Sequence, residues 1–268
     1  MICTLKSVVG TIRHRGFLGP TFFLSGLCVL YLSSNAFTPG VFAMGGKSRF
    51  VFAQLEYRGG NWNPRPRAGR ALVWELVKRT SVEASLSVNG VKPHDRAIFN
   101  YPFIYMAGDQ DFEPFNAREK ENLKRYLEFG GMLLVDDNAG KPGYGFDKAL
   151  RRELAAIFPG KKLAKIPDEH TIYRAFYLVN RQGGRLMVNP YLEELNLEGR
   201  AAVIYSQNDL GGAWARDGLG NWEYEVFPGG ERQRTMAFRL GINIILYALT
   251  GDYKQDQVHL PFILRRQM

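Results

Sequence analysis

Two short apolar runs, Pro102 to Ala107 and Met132 to Val135, stop abruptly at the polar turns Gly108-Asp109-Gln110 and Asp136-Asp137-Asn138. Apolar stretches this short, without alternation, suit strands covered on both faces, and such strands need helices above and below them. Between the two runs, Asn116 with Glu119 three residues on is an N-cap with its capping-box partner, and Leu123, Tyr126 and Leu127 carry a buried stripe up to Gly130-Gly131. The proportions, 46% hydrophobic and 23% charged, are those of a globular chain and exclude a disordered, collagenous or coiled-coil one.

The same alternation runs along the rest of the chain. Phe50 to Arg58 reads as a strand, Gly59 to Arg67 as a loop, Arg70 to Thr80 as a helix and Val82 to Val88 as a strand. Phe146 to Phe158 predicts a helix with Leu150, Leu154 and Ile157 on one side, followed by a short strand from Lys162 to Ile166. Pro167 to Glu198 is irregular, with one short element expected. Ala201 to Tyr205 is a buried strand, and Arg232 to Leu249 a long helix stopped by Gly251. No repeat and no second linker interrupts this order, which predicts one exported domain over residues 44–251. The tail, 252–268, carries Val258, Leu260, Phe262, Ile263 and Leu264, and is expected to pack on the domain as an edge strand or to bind a partner. Strands alternating with helices predict an α/β fold with a mainly parallel sheet and helices on both faces.

Residues 1–43 read as a signal peptide or membrane anchor. Arg13, His14 and Arg15 precede an uncharged stretch from Gly16 to Gly46, whose core from Phe17 to Leu32 is strongly apolar. Ser34-Asn35-Ala36 and Val41-Phe42-Ala43 are small-residue cleavage sites, the second favoured by Pro39 and Gly40 just upstream. Left uncut, the segment would attach the chain to a membrane through residues 16–34. Both cysteines, Cys3 and Cys28, lie here, so Cys nucleophiles, thiolate metal sites and disulfides are excluded from the rest of the chain. A periplasmic or otherwise extracytoplasmic location, membrane-anchored if the segment stays, is the expectation. The net charge of +9 comes from scattered basic residues without aromatic interleaving, so nucleic acid is not an expected partner.

Ligands of open α/β sheets gather at the carboxyl ends of the strands. That selects Gly108 to Asp111, Asp136 to Gly140 and Ser206 to Gly212, with Asp109, Asp136, Asp137, Asn138, Ser206, Asn208 and Asp209 as candidate ligand-binding residues. Asp136 and Asp137 are the candidate ligands for a divalent cation, and Asp109 and Asp209 would extend them to a four-carboxylate rim. The same residue types also cap helices and close turns. No cofactor other than such a cation is expected. His170 is a candidate general acid/base beside Asp136 and Asp137, on condition that it comes within about 3 Å of a substrate proton or of a carboxylate that orients it. Ser206 lacks the Gly-x-Ser-x-Gly elbow of a nucleophile. Gly211-Gly212-Ala213-Trp214 and Gly218 to Trp222 read as a surface flap, whose Trp214, Trp222 and Tyr224 would line a pocket or meet a partner. Arg58, Arg65, Arg67 and Arg70 make a basic loop, either solvated or facing an acidic partner or lipid headgroups.

Tyr101 to Gly108, the helix after it and Gly130 to Asp136 resemble a family known as domain of unknown function 4159. Phe158-Pro159, His170 to Tyr173, Ala201 to Ser206 before Asn208-Asp209, and Gly241-Ile242-Asn243 with Tyr247-Ala248 extend the resemblance over roughly residues 50 to 250. It implies a flavodoxin-like three-layer sandwich similar to the class I glutamine amidotransferases, and protein partners at the cell envelope. Those enzymes use a nucleophilic Cys, which this domain lacks, so glutamine hydrolysis by that route is excluded. The expectation is a non-catalytic binding or assembly domain; the alternative is a hydrolase using the strand-end carboxylates and His170, with metal assistance.

Overall fold

A computed structural model describes residues 49–180 and 183–265, with side chains described as far as residue 250. The signal or anchor reading of residues 1–43 lies outside the described residues.

Seven strands form one sheet: β1 (Phe50–Leu55), β2 (Ala84–Val91), β3 (Phe103–Gly108), β4 (Met132–Asp137), β5 (Ala164–Lys165), β6 (Glu193–Leu197) and β7 (Arg200–Ser206). Their order is β2-β1-β3-β4-β7-β6-β5. The first five in that order are mutually parallel, while β6 runs antiparallel to both β7 and β5. Numbering only the parallel strands along the chain gives 2-1-3-4-5, the flavodoxin-like order.

Among the described residues, five α-helices flank the sheet: α1 (Ala68–Arg79), α2 (Ala117–Glu128), α3 (Gly145–Ile157), α4 (Leu210–Trp214) and α5 (Gly230–Arg265). Period-two alternation sends successive strand residues to opposite faces. Phe103, Tyr105, Met132, Leu134 and Ile204 pack with α1, α4 and α5, whereas Ile104, Met106, Leu133, Val135 and Val203 pack with α2 and α3. Both faces of the central strands are therefore dry, which is why their sequences show no polar alternation. α2 begins as expected: the Asn116 side chain accepts from Glu119 N at 3.0 Å, and the Glu119 carboxylate accepts from Asn116 N at 2.8 Å. Asn116→Ala should cost about 1 kcal/mol, which for a domain of this size lowers the thermal midpoint by about 2–4 °C; a melt within 1 °C or so of wild type would deny the cap that role.

The structure departs from the sequence expectations at four places. The strand begun at Phe50 ends at Leu55, and the Gly/Asn/Pro loop starts earlier than Gly59. In the irregular stretch lie a single 3-10 turn, Thr171–Tyr173, and a genuine strand, β6. Glu193 and Glu194 disguised that strand, because Arg151 bonds the Glu193 carboxylate at 2.6 Å and lets it lie against the sheet. Gly211 to Trp214 is not a surface flap: it is the buried helix α4, and Trp214 is fully buried with its indole N–H on the Ala237 carbonyl at 3.0 Å. Finally, α5 continues through Gly251 to Arg265, so an edge strand from the tail is replaced by helix. A single glycine costs a helix only about 1 kcal/mol, which the turns on either side outweigh. The packing of the tail's side chains lies outside the described residues.

Candidate functional site

The carboxyl ends of β3, β4 and β7 meet at one edge of the sheet, because Gly108 pairs with Asp137 and Asp136 with Ser206. Alternation then parts the two neighbouring aspartates. Asp136 faces α4, and Asp137 faces α3.

Asp136 is fully buried. Its Oδ1 accepts from Leu210 N at 2.8 Å, and its Oδ2 accepts from Gly211 N, Tyr105 Oη and Asn138 Nδ2, each at 2.8 Å. Burial, and then the charge of Asp209, raise its pKa to about 7, against the pull of these donors. Asn138 donates its second amide hydrogen to Asp209 Oδ1 at 2.7 Å and so ties the two carboxylates together. Asp209 itself sits in the left-handed region, φ 53°, which lets its side chain turn back to cap α4 through Gly212 N at 2.8 Å. A short polar side chain tolerates that backbone better than most residues do. The Asp209 carboxylate also accepts from Arg65 Nη2 at 2.8 Å, from Arg65 Nε at 3.2 Å and from Arg185 Nε. Gly211 and Gly212 follow from this crowding rather than from phosphate binding. A Cβ on the first would lie 2.7 Å from Tyr105 Oη, and on the second 2.4 Å from Asp209 Oδ2.

Asp137 stands apart. Its Oδ1 accepts from Ala139 N at 2.8 Å and Gly140 N at 3.2 Å, while its buried Oδ2 has no hydrogen-bond partner among the described residues. Burial first, with the charge of Asp147 adding, raises its pKa to about 6. Asp147, in the first turn of α3, accepts from Gly143 N, Tyr205 Oη, Gln207 Nε2 and Arg151 Nε at 2.6 to 2.9 Å. Although burial raises its pKa, these partners lower it overall. Asp109 is further away along the edge, where Asn61 Nδ2 donates to it at 3.0 Å.

The four aspartates therefore do not converge as a rim. Asp136 and Asp209 form one knot, Asp137 faces Asp147, and Asp109, directly after β3, is held by Asn61 of the loop after β1. Among the described residues, no group of three or more His, Cys, Asp or Glu side chains is arranged to hold a metal ion. Asn208 accepts from Val188 N and Asn189 N and donates to the Asn189 carbonyl, which fastens the loop at 183–189 to the end of β7. Ser206 is buried and accepts from Asn208 N at 3.2 Å.

His170 is not brought to this edge. Its Nδ1 accepts from Ile172 N, and its ring lies 5.4 Å from that of Tyr247, whose hydroxyl accepts from Ala201 N. Ala201 is five residues upstream of Ser206 on β7, which puts His170 near the opposite end of the sheet, about 16 Å along the strand. Burial lowers its pKa, as expected for a histidine packed on the body of the domain.

Two arginines that complete the knot were hard to find in the sequence. Arg65 was one of four in a basic loop, yet it alone is turned inward, with its guanidinium 4.2 Å from the centre of the Tyr224 ring. Arg58 and Arg67 keep exposed side chains and make long contacts with Glu119 and Glu223, at 3.5 and 3.8 Å. Arg185 carried no signal. A single hint existed: Asp209 follows a buried strand, where an unpaired carboxylate would be costly. The loop after β1 also closes over the crevice between β1 and β3, where the strand order reverses and α/β ligands commonly bind. There Tyr57 Oη lies 2.8 Å from the Ala107 carbonyl, and Glu113 N donates to the Arg58 carbonyl at 3.1 Å.

Such an architecture defines a flavodoxin-like α/β domain whose strand-end polar residues are spent largely on one another. The chain belongs to the family described as domain of unknown function (DUF4159), whose profile matches residues 51–249. No curated protein matches it.

Proposed function

We propose that this protein is a non-catalytic binding or assembly domain of the cell envelope, exported or anchored by its N-terminal segment and acting on protein partners. The carrying observation is the closed strand-end knot: Asp136 and Asp209 are fully buried, and their oxygens accept hydrogen bonds from neighbours in the same domain. Carboxylates saturated in this way hold loops together and have little capacity left for a substrate or a cation. Kinship in fold with the class I glutamine amidotransferases would then be one of scaffold without chemistry, in keeping with a domain that has no cysteine after Cys28. Support for the envelope comes from the basic-then-apolar order of residues 13 to 32. Among the described residues, no helix is long and apolar enough to cross a membrane; the attachment proposed here is through residues 16–34. One segment that the domain offers outward is the excursion from Arg216 to Glu225, with Leu219 90% exposed at its tip.

The hydrolase alternative requires His170 to converge with a strand-end carboxylate, and it draws its remaining support from the unpartnered Oδ2 of Asp137. Two measurements separate them. Thermal melts of the full chain with Mg²⁺, Ca²⁺ or Zn²⁺ should match the melt without metal, and a photo-crosslinker at Leu219 in intact cells should yield a discrete protein adduct. A metal-induced rise of several degrees that Asp137→Asn abolishes would overturn the binding reading.

A further inference from the structure

Beneath the 216–225 excursion, α1 and α5 leave a cleft of about 100 Å³ that the strand-end knot does not touch. Arg79, Arg216, Arg234 and Arg239 line it, against only two carboxylates, Glu75 and Glu231. Both acids are already engaged: Glu75 with Arg79 at 2.5 Å, and Glu231 with Arg234 at 2.8 Å. Arg234 is buried and spends its other nitrogens on the carbonyls of Ala213 and Tyr224. Arg216 donates to the Gly220 carbonyl and stacks 3.6 Å from the centre of Trp222, whose other neighbours are Arg234 at 4.2 Å and Phe238 at 5.9 Å. Arg239 is different. Its Nε is buried with no hydrogen-bond partner among the described residues, and its guanidinium is 5.2 Å from the ring centre of Tyr177.

A buried guanidinium N–H without an acceptor is costly, and guanidinium forks match carboxylate and phosphate oxygens. Two arginines beyond the number of acids leave the cleft positive, and Trp222, Phe238 and Ile242 give it an apolar wall. We infer that this cleft binds an oxyanionic group, phosphate or carboxylate, carried on a flat apolar body, with Arg239 and Arg216 holding the oxygens and Trp222 and Phe238 the body. The site uses none of the strand-end residues and can be probed without an envelope partner, although Arg216 and Trp222 belong to the excursion proposed to meet one.

Titration calorimetry of the full chain in detergent, at constant ionic strength, with inorganic phosphate, phenyl phosphate and benzoate tests it. Saturable binding at one site is expected, with phenyl phosphate about tenfold or more tighter than inorganic phosphate; benzoate tells carboxylate from phosphate as the preferred oxyanion. Arg239→Gln should weaken all three probes by about tenfold or more while leaving the unliganded melt within about 2 °C of wild type. Arg216→Gln should do the same, and Arg70→Gln, on the exposed side of α1, should change nothing. Heats that do not saturate, or affinities that Arg239→Gln and Arg216→Gln both leave intact, would overturn the site. Equal affinity for phosphate and phenyl phosphate would overturn the role given to the apolar wall.

Discussion

Asp209→Ala should lower the thermal midpoint of this domain by roughly 10 °C or more. Its carboxylate is fully buried and is the common acceptor for Arg65, Arg185, Asn138 and the first turn of α4. The side chains of Arg65 and Arg185 are only 13% and 26% exposed, so neither recovers full hydration where it stands. Removing one partner of a buried ion pair costs about 3–5 kcal/mol, because the surviving charge is left uncompensated, and each kcal/mol is worth about 2–4 °C for a domain of this size. Arg65→Met in the Asp209→Ala background should restore part of the loss, since it withdraws one stranded cation, whereas Arg65→Met alone should be destabilising. Differential scanning calorimetry of the four proteins closes that cycle. A drop below about 3 °C for Asp209→Ala, or strict additivity of the two changes, would show that the knot is not what holds the loops after β1 and β7.

Stability should fall as pH rises from about 4 to about 7. Asp136 and Asp137 have pKa values raised from 3.8 to about 7 and about 6, so the folded protein holds protons that the unfolded chain has released. Stability declines wherever the folded state binds more protons than the unfolded one. The contribution of this pair is therefore complete below about pH 4 and is lost as pH climbs through the folded-state values. Each group alone contributes a slope of at most about 1.4 kcal/mol per pH unit. His170 opposes them in part: burial lowers its pKa, so it adds stability as pH rises towards 6.5. Asp147, whose pKa is lowered, acts only on the acid side, where stability is lost as pH falls below its unfolded value of 3.8. Urea unfolding at pH 4, 6 and 8 measures the balance. Asp137→Asn keeps an oxygen for Ala139 N and Gly140 N and deletes the charge whose Oδ2 has no partner. It should be more stable than wild type at pH 8 and about equal to it at pH 4. A wild type equally stable at pH 4 and pH 7, or an Asn variant weaker at pH 8, would contradict the assignment of these two carboxylates.

Features that depend on neighbours in sequence were readable without the fold. The capping box at Asn116 and Glu119, the buried runs of β3, β4 and β7, and the stripe of α2 are local patterns, and each appears where the residues put it. β6 was hidden because its first two residues are glutamates, and only the distant Arg151 makes Glu193 acceptable against the sheet. α4 was hidden because Gly211 and Gly212 look like loop residues, although it is the close approach of Tyr105 and Asp209 that excludes a Cβ there. Arg65 looked like any solvated arginine in a polar loop. Its partner lies 144 positions away.

Sequence alone thus determined the α/β class, the parallel strand ends as the place where polar residues collect, and the absence of a thiol after Cys28, because periodicity and composition are properties of short windows. It could not determine what those polar residues do. Whether Asp136 and Asp137 stand together or face opposite layers depends on the pleat once both faces are covered. Whether Asp209 is a free ligand or the centre of an ion cluster depends on two arginines delivered by remote loops, and whether His170 reaches the strand ends depends on how α5 crosses the sheet. Those are facts about which buried charges find partners in space, and a buried charge is decided by its partner rather than by its position in the chain.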